Sequence, residues 1–546
     1  LIGQASYFAA NQLAAHMDFA PEDVDRVARF WGYDKIASKP GLKAVDMFDA
    51  VADGRVKAIW IMGTNPVDSL PDADKVARAL AACPVVVVSD VVAQTDTMRF
   101  ANIVLPAAAW GEKDGTVTNS ERRISRQRPF MPAPGEAKPD WWQMAQVARR
   151  MAYSGFDYED PNEIFAEHAR MSDFENNGSR DFDIGAWAKT DHTAYDAMQP
   201  FRWPVRADGS TQERFFADGG FFTPDRKARF VAVASPEPRQ IADSYPLTLN
   251  TGRLRDHWHT MTRTGRSSRL SAHTAEPHCE LHPLDAAANG IADADLVTVE
   301  SPLGAVIVRA LITGKEQRGS VYVPLHWTNS FASKARIDTL VPLRTDPFSG
   351  QPAFKNVGVN VTRFEASTYG FIVSRRRIDA SSASYWATVP CVGGWRTEFA
   401  LRDGDKLDLP AEAAVARHDT KGHGQTLWFD GDRLEVAMFT ASAPVAVARS
   451  WAVEQLSCSH NVPARHRLCA GRPAADQPDK GAIVCSCCDV GVNEIAAAIG
   501  LGARSVDAVG DACRAGTNCG SCRSEINEML SQAEADHANA VRIAAE

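Results

Sequence analysis

The sequence predicts a multi-domain chain of α/β and β-rich portions, closed by a small helical unit. Three observations predict it. Apolar strand runs alternate with helical patterns between residues 57 and 110; strand patterns crowd together from Tyr245 to about residue 366; and six of the eleven cysteines lie between Cys485 and Cys522, among helical repeats. At 546 residues the chain has room for about three or four domains.

Hydrophobic residues make up 45% of the chain, as in an ordinary globular protein. The net charge of -9 argues against nucleic acid as a partner, because phosphate binding wants a basic face. No apolar run is long enough to span a bilayer, so no membrane partner is expected. The first residue is Leu1, without the basic and apolar lead of a secretory signal, and the start is expected to be a cut. Cysteines massed at one end suit a metal centre in a reducing cytoplasm better than a disulfide framework.

Residues 1–55 are alanine-rich and mostly helical in pattern. KAIWIMGTNP (57–66) is a strand running into Gly63, Thr64, Asn65 and Pro66; a helix follows around Asp72 to Ala81. PVVVVSD (84–90) is a second buried strand ending in Ser89 and Asp90, and ANIVLPAAAW (101–110) a third. This alternation predicts a parallel sheet with helices on both faces and ligands at the strands' carboxyl ends. WGEKDGTVTNSERRISRQR (110–128) mixes Glu112, Asp114, Asn119 and Glu121 with Arg122, Arg123, Arg126 and Arg128. It is a charged loop, either merely solvated or laying guanidinium forks on an anionic cofactor. Residues 150–240 read as a helical and irregular connection.

From Tyr245 the pattern changes. YPLTLNTGR is a strand, LHPLDAAANGI a short helix with a glycine stop, LVTVESPLGAVIVRALI (296–312) two strands about a turn, and SVYVPLHW (320–327) another strand. DHWHTMTRTGR (256–266) lies inside this region, with further histidines at 273, 278 and 282. Their spacing fits no metal motif, and such a loop suits a ring system and phosphates better. SRRRIDASSASYW (374–386) reads as a linker. LWFDGDRLEVAMF (427–439) is a hairpin about Asp430-Gly431, and Trp386, Trp395, Trp428 and Trp451 suggest a small core of its own. Cys458 and Cys469 have no metal spacing, and LCAGRPAADQPDKG leads flexibly into the tail.

The tail offers two close thiol pairs, Cys485/Cys487 and Cys519/Cys522, in the pattern C-x-C-x31-C-x2-C. Four thiolates gathered by a small fold hold either a tetrahedral metal such as zinc or an iron–sulfur cluster. Val492, Ile495, Ala496 and Ile499 form one face of a helix that Gly500 and Gly502 can end. Ser505 caps a second helix with Val506, Val509 and Cys513 on its apolar face. A third begins near Cys522 and buries Ile526, Met529 and Leu530, which places the second thiol pair near a helix N-terminus, where an anionic cluster is favoured. Cys513 reads as structural, and Cys488, directly after a proposed ligand, is expected to point away.

This tail resembles the bacterioferritin-associated-ferredoxin-like [2Fe-2S] domains, including their AGTNCGSCR signature. The resemblance implies Cys485, Cys487, Cys519 and Cys522 as the cluster's ligands. Residues 10–365 carry a second one. GTNPVDSLPD, VVVVSD, LPAAAWGEKDGTVTNSERRISRQR, TGRLRDHWHTMTR, ELHPLDAA and HWTNSFASKARIDTLV are similar to the C-terminal half of the molybdopterin oxidoreductases, and among these to the cytoplasmic assimilatory nitrate reductases.

That second resemblance implies a Rossmann-like region binding molybdopterin guanine dinucleotide and a six-stranded double-psi-type β-barrel. Together with the tail's resemblance and the pattern between them, it divides the chain into 1–240 (molybdopterin oxidoreductase domain), 244–366 (dinucleotide-binding barrel), 367–475 (linker or spacer) and 480–535 ([2Fe-2S] domain). It implies cofactor contacts from Gly63, Thr64, Asn65, Pro66, Ser89, Asp90, Glu112, Gly115, Asn119 and Arg122, and on the barrel from Thr251, Gly252, Arg253, Trp258, His259, Thr260, Asn329 and Lys355. The implied function is molybdenum-dependent reduction of nitrate to nitrite in nitrate assimilation. Mo-bis(molybdopterin guanine dinucleotide) would be the cofactor, and the [2Fe-2S] cluster would take electrons from a ferredoxin, a flavodoxin or an NADH-dependent reductase. A cytoplasmic formate dehydrogenase is the alternative, and an iron–sulfur electron-transfer protein a third reading. The family's [4Fe-4S] cysteines and molybdenum-ligating cysteine have no match here, since Cys83 opens a buried strand. The chain is therefore expected to be truncated at its front and inactive alone, with no catalytic residue of its own to name.

Overall fold

The structure is a computed structural model that describes residues 13–232, 242–347, 349–409, 415–418, 423–469, 471, 480–485, 487–518, 520 and 522–545. The chain divides into two compact units: Leu1–Val67, Asp74–Pro238 and Leu343–Ala353 form one, and Asp68–Ala73, Arg239–Pro342 and Phe354–Glu546 the other.

In the first unit, β1 (Ala58–Met62), β2 (Val85–Asp90) and β3 (Ile103–Pro106) form a parallel sheet in that order. Val86 and Val88 are buried, but Ile103 and Val104 are 48% and 49% exposed. The third strand is thus not the buried one its apolar run suggested. It lies at the sheet's edge, and among the described residues no strand pairs with its outer side. The carboxyl ends of the three strands are tied together by side chains. Ser89 accepts from Trp60 Nε1 at 2.8 Å and donates to Gln143 Oε1 at 2.7 Å, while Gln143 Nε2 donates to the Pro106 carbonyl at 3.0 Å.

The stretch read as a charged loop instead contains a hairpin. β4 (Gly115–Thr118), β5 (Arg123–Gln127) and β6 (Phe201–Arg202) pair antiparallel. The turn between β4 and β5 is built by Asn119, whose Oδ1 accepts the N–H groups of Glu121 and Arg123 at 2.9 and 3.0 Å. The region after it is helical over Pro161–Asp173 and His192–Ala197, and packs Phe165, Ile184, Tyr195 and Trp203 into one core.

The second unit opens with a closed barrel of six strands: β7 (Leu247–Gly252), β8 (His278–Leu281), β9 (Leu296–Ser301), β10 (Gly304–Ile312), β11 (Ser320–Pro324) and β12 (Val357–Arg363). β7 runs parallel to β11 and β8 to β10; the other neighbours are antiparallel. Alternation puts Leu249, Leu281, Val299, Val308, Val323 and Val359 fully inside.

Four residues after β12 the chain enters a six-stranded antiparallel sheet: β13 (Thr368–Ser374), β14 (Tyr385–Cys391), β15 (Gly394–Leu401), β16 (Val415–His418), β17 (Gly424–Asp430) and β18 (Arg433–Ala441). Residues 374–386 are therefore no linker: they join β13 to β14 and begin the latter. Arg375, inside that supposed linker, donates to the carbonyl of Leu434 at 2.9 Å. Phe371, Phe439 and Trp451 fill one face of the sheet, and Ile372, Phe399 and Trp428 the other; each such side chain contributes about 1.5–3 kcal/mol on burial.

A buried charge network fastens this sheet to the barrel. Glu398 on β15 lies 2.9 Å from Arg449, 2.7 Å from Arg396 and 3.9 Å from Arg309 of β10. Arg309 and Tyr385 both reach Glu276 at 2.6 Å. Burial alone would raise the Glu398 carboxyl, but Arg449 and Arg396 hold it well below the usual range.

The tail begins with a hairpin, β19 (Ile483–Cys485) and β20 (Val490–Gly491), followed by helices Val492–Gly500, Val506–Cys513 and Arg523–Ala545. The Ser505 cap is as expected, its hydroxyl accepting from Ala508 N at 3.1 Å. The unit is not all-helical, however, and the first helix turns Ala498 inward while Ala496 is exposed. Most of the expected flexible lead-in, 472–479, lies outside the described residues.

Candidate functional site

β19 ends on Cys485, and the turn to β20 carries Cys487 and Cys488. Asp489 takes a positive φ of 55° to close that turn, and Lys480 Nζ holds its carboxylate at 2.8 Å. The result is a knot of sulfur. Cys485 Sγ lies 3.7 Å from Cys487 Sγ, and Cys487 Sγ 4.0 Å from Cys488 Sγ. All three thiols fall within 4.8 Å of one another, the one such metal-capable group among the described residues. Cys488 thus points toward the site, contrary to expectation, because the tight turn folds consecutive side chains onto one side.

Cys522 stands directly ahead of helix Arg523–Ala545, its carbonyl taking the Ile526 N–H at 3.0 Å, and its thiol neighbours that of Cys485. Burial raises the Cys485 thiol, but backbone hydrogen bonds at Gly516 and Cys488 outweigh it and bring the group below its ordinary value. Burial and the neighbouring Cys485 push Cys522 up to about 12. Backbone donors already aimed at sulfur suit an anionic metal–thiolate centre. Cys513 turns away and donates to Val509 O at 3.2 Å, as a structural thiol does. Cys519 lies outside the described residues.

At the strand ends of the first unit, Gly63 adopts φ 59° and donates its N–H to the Ser89 carbonyl at 2.9 Å. Asn65 is buried, its Oδ1 accepting the Thr97 N–H at 3.1 Å, and Pro66 opens the short helix Pro66–Ser69. Thr64 is partly exposed between them. Burial raises the Asp90 carboxyl, which accepts from Val92 N at 3.0 Å. Glu112 accepts from Ala109 N at 2.8 Å, and the Gly115 carbonyl from Arg126 at 3.0 Å. Arg122 donates to the carbonyls of Trp203 and Glu213 at 2.8 and 2.6 Å and lies 3.9 Å over the Phe215 ring. Asn65, Ser89, Glu112, Asn119 and Arg122 therefore shape these loops from within, and Gly63 and Thr64 leave the accessible surface at the end of β1.

On the barrel, the segment after β7 is fixed from below. Thr251 Oγ1 donates to Phe354 O at 3.2 Å, the Lys355 ammonium donates to the Thr251 carbonyl, and the Gly252 carbonyl accepts from Leu325 N at 3.0 Å. His326, fully buried, accepts the Leu254 N–H on Nε2 at 2.7 Å, which leaves Nδ1 to donate to the His259 carbonyl at 2.7 Å. Burial lowers His326 to about 4, so it stays neutral. Thr260 is buried. Trp258 is 43% exposed, with the Arg263 guanidinium 4.7 Å over its ring. Burial, Arg253 and Arg263 together keep His259 below its usual value. Asn329, on the loop after β11, completes the expected set. His326 and Arg263 were not on it, although both stand inside the motifs that carried the resemblance. The remaining histidines have structural partners: His257 with Thr274 O at 2.7 Å, His278 with Glu280 at 3.5 Å, and His282 capping helix Pro283–Ala288.

Comparison with known proteins agrees with this layout. Residues 3–150 match the family described as Molybdopterin oxidoreductase, 247–358 the Molydopterin dinucleotide binding domain, and 483–532 the BFD-like [2Fe-2S] binding domain.

The chain carries molybdopterin oxidoreductase and dinucleotide-binding domains and a BFD-like [2Fe-2S] binding domain.

Among its relatives, a nitrate reductase of Klebsiella oxytoca is 42% identical over 540 residues, covering 95% of this chain and 61% of that protein. The assimilatory nitrate reductase catalytic subunit of Bacillus subtilis is 30% identical over 364 residues, 64% of this chain and 49% of that one. A putative formate dehydrogenase of the same organism is 32% identical over 327 residues, 60% of this chain and 31% of that one. The chain thus spans about three fifths of the length of the Klebsiella relative and less of the other two. The cluster residues fit their group, with converging thiols and backbone donors. The barrel residues suit an anionic dinucleotide in charge, with the Arg263 guanidinium over the half-exposed Trp258 ring and Arg253 acting on His259. Cys83 does not fit a molybdenum ligand: it is buried and donates to Val85 O at 3.5 Å.

Proposed function

We propose that this chain is part of a molybdenum nitrate reductase serving nitrate assimilation in the cytoplasm, and that its tail is where electrons enter. The observation that carries the reading is the sulfur knot of Cys485, Cys487 and Cys488 beside Cys522, in a tail that the similarity to the Klebsiella nitrate reductase, covering 95% of this chain, supports as part of the same protein. Cys485, Cys487, Cys519 and Cys522 hold the [2Fe-2S] cluster. Gly63, Thr64 and Asp90 face one dinucleotide, and Arg253, Trp258 and His259 the pterin side. When bound, molybdenum in its bis(molybdopterin guanine dinucleotide) form supplies oxygen-atom transfer, with nitrate, two electrons and two protons giving nitrite and water. The protein's part is to orient that cofactor through the His326-fixed segment, to draw anions toward Arg253 and Arg263, and to pass electrons in from a ferredoxin, flavodoxin or NADH-dependent reductase.

The identity with a putative formate dehydrogenase supports a second reading, in which electrons leave through the tail. The natural protein decides between them. Oxidation of reduced viologen by nitrate is the expected result; formate oxidation without nitrate turnover would overturn the assignment. For the isolated chain, iron near two atoms per chain is expected, and zinc in its place would refute the cluster.

A further inference from the structure

Within the second unit the tail and the barrel meet at a ring of four charged residues. Arg255, three residues past β7, donates through Nη2 to the carbonyl of Val484 at 2.7 Å, one residue ahead of Cys485. Its Nη1 lies 3.2 Å from Glu525 Oε2, three residues past Cys522. Asp256 Oδ2 stands 3.0 Å from Arg255 and 3.2 Å from His273 Nδ1, and His273 Nε2 lies 3.4 Å from Glu525. A rim pair, Lys315 with Glu528, adds a second tie. The ring is not a surface ornament: the Arg255, Asp256 and His273 side chains are only 19%, 9% and 17% exposed. One guanidinium therefore touches both segments of the tail that carry thiols. On the barrel side, Arg255 and Asp256 belong to the same short segment as Arg253, Trp258 and His259, whose backbone His326 fixes.

We propose that this ring is a docking joint that holds the [2Fe-2S] domain in one place against barrel segment 253–260, with Arg255 as a positioning residue whose charge also raises the cluster's reduction potential. The joint rests on reading the tail as a [2Fe-2S] domain and not on nitrate as the substrate. Reduction adds an electron to an already anionic centre, so a cation alongside stabilises the reduced form, and a carboxylate alongside opposes it. Arg255 reaches the backbone one residue ahead of Cys485, so its charge stands beside the thiol-bearing turn. A guanidinium is suited to the task because its fork can serve a carbonyl and a carboxylate at once. An ordinary surface ion pair would do neither, being worth little and exchanging freely with water.

The test uses the full chain and its Arg255→Gln, Arg255→Lys and Glu525→Gln variants. Amide hydrogen exchange is read over residues 480–485 and 522–531, and the cluster potential by redox titration of its visible spectrum. Arg255→Gln and Glu525→Gln should both speed exchange in these segments, while the potential moves down in the first and up in the second. Arg255→Lys should keep the potential near wild type. Unchanged exchange in both neutral variants, or potentials that move in the same direction, overturns the joint. If Arg255→Gln fails to assemble a cluster, Glu525→Gln decides alone, with faster exchange and a raised potential required. Zinc in the wild-type tail would sink the cluster reading while leaving the exchange arm to report on the joint.

Discussion

At the residue scale, the five described cysteines of the tail divide by where their sulfurs point. Cys522→Ser should abolish the visible spectrum of the cluster. Cys513→Ser should keep it, at a cost of about 1 kcal/mol in stability, since that thiol packs along its own helix; chemical denaturation and absorbance measure the two effects, and equal loss of spectrum from both would refute the division. Cys488 brings a third sulfur within 4.0 Å of Cys487. Cys487→Ser should therefore retain a cluster of altered spectrum, and the double Cys487→Ser/Cys488→Ser variant should lose it. His273 supplies a pH dependence. Burial lowers its pKa, but Asp256 and Glu525 raise it more, against Arg255 and with His257 nearby, and the net shift is upward. A group raised in the folded state stabilises below its unfolded value and loses that contribution as pH rises through the folded value. Exchange protection of residues 522–531, corrected for intrinsic rates, should accordingly fall as pH rises beyond the ordinary histidine range, and His273→Gln should flatten that fall.

At the scale of elements, legibility followed how local the determinants are. The β9–β10 turn, the β17–β18 hairpin and the Ser505 cap are each decided by a few adjacent residues, and all stand where pattern placed them. Ser505→Ala should cost about 1 kcal/mol, read by denaturation of the tail. The β4–β5 hairpin was hidden because its residues are charged. Arg126, which looked solvated, is almost fully buried between Asp114 and Asp196, 3.9 Å over the Tyr195 ring. Residues 374–386 misled in the same way, since Arg375 spends its guanidinium on backbone carbonyls that composition does not display. β19 and β20 are too short for any alternation to show, and they depend on Gly491, where a Cβ would collide with the Lys480 carbonyl. Of the candidate site, the Cys485/Cys487 pair was readable from spacing. The Arg255 ring was not, because its members are separated by as many as 270 residues, Arg255 to Glu525.

At the scale of the whole molecule, the second unit is continuous through charged contacts between its parts: Glu398 and its arginines join sheet to barrel, and Arg255 joins tail to barrel. Breaking a buried pair on one side strands the partner charges, so Glu398→Gln should destabilise the second unit by roughly 3–5 kcal/mol, measurable by urea denaturation, and far more than Glu398's neighbour Thr397→Ser. The first unit carries a different consequence in β3. With Ile103 and Val104 half in water, this strand presents apolar side chains along an edge that no described strand covers, the combination from which strand-to-strand aggregation grows. Concentrated solutions of this chain should scatter light over time, and Val104→Lys, a charge placed on the open edge, should slow that growth without disturbing the visible spectrum of the tail.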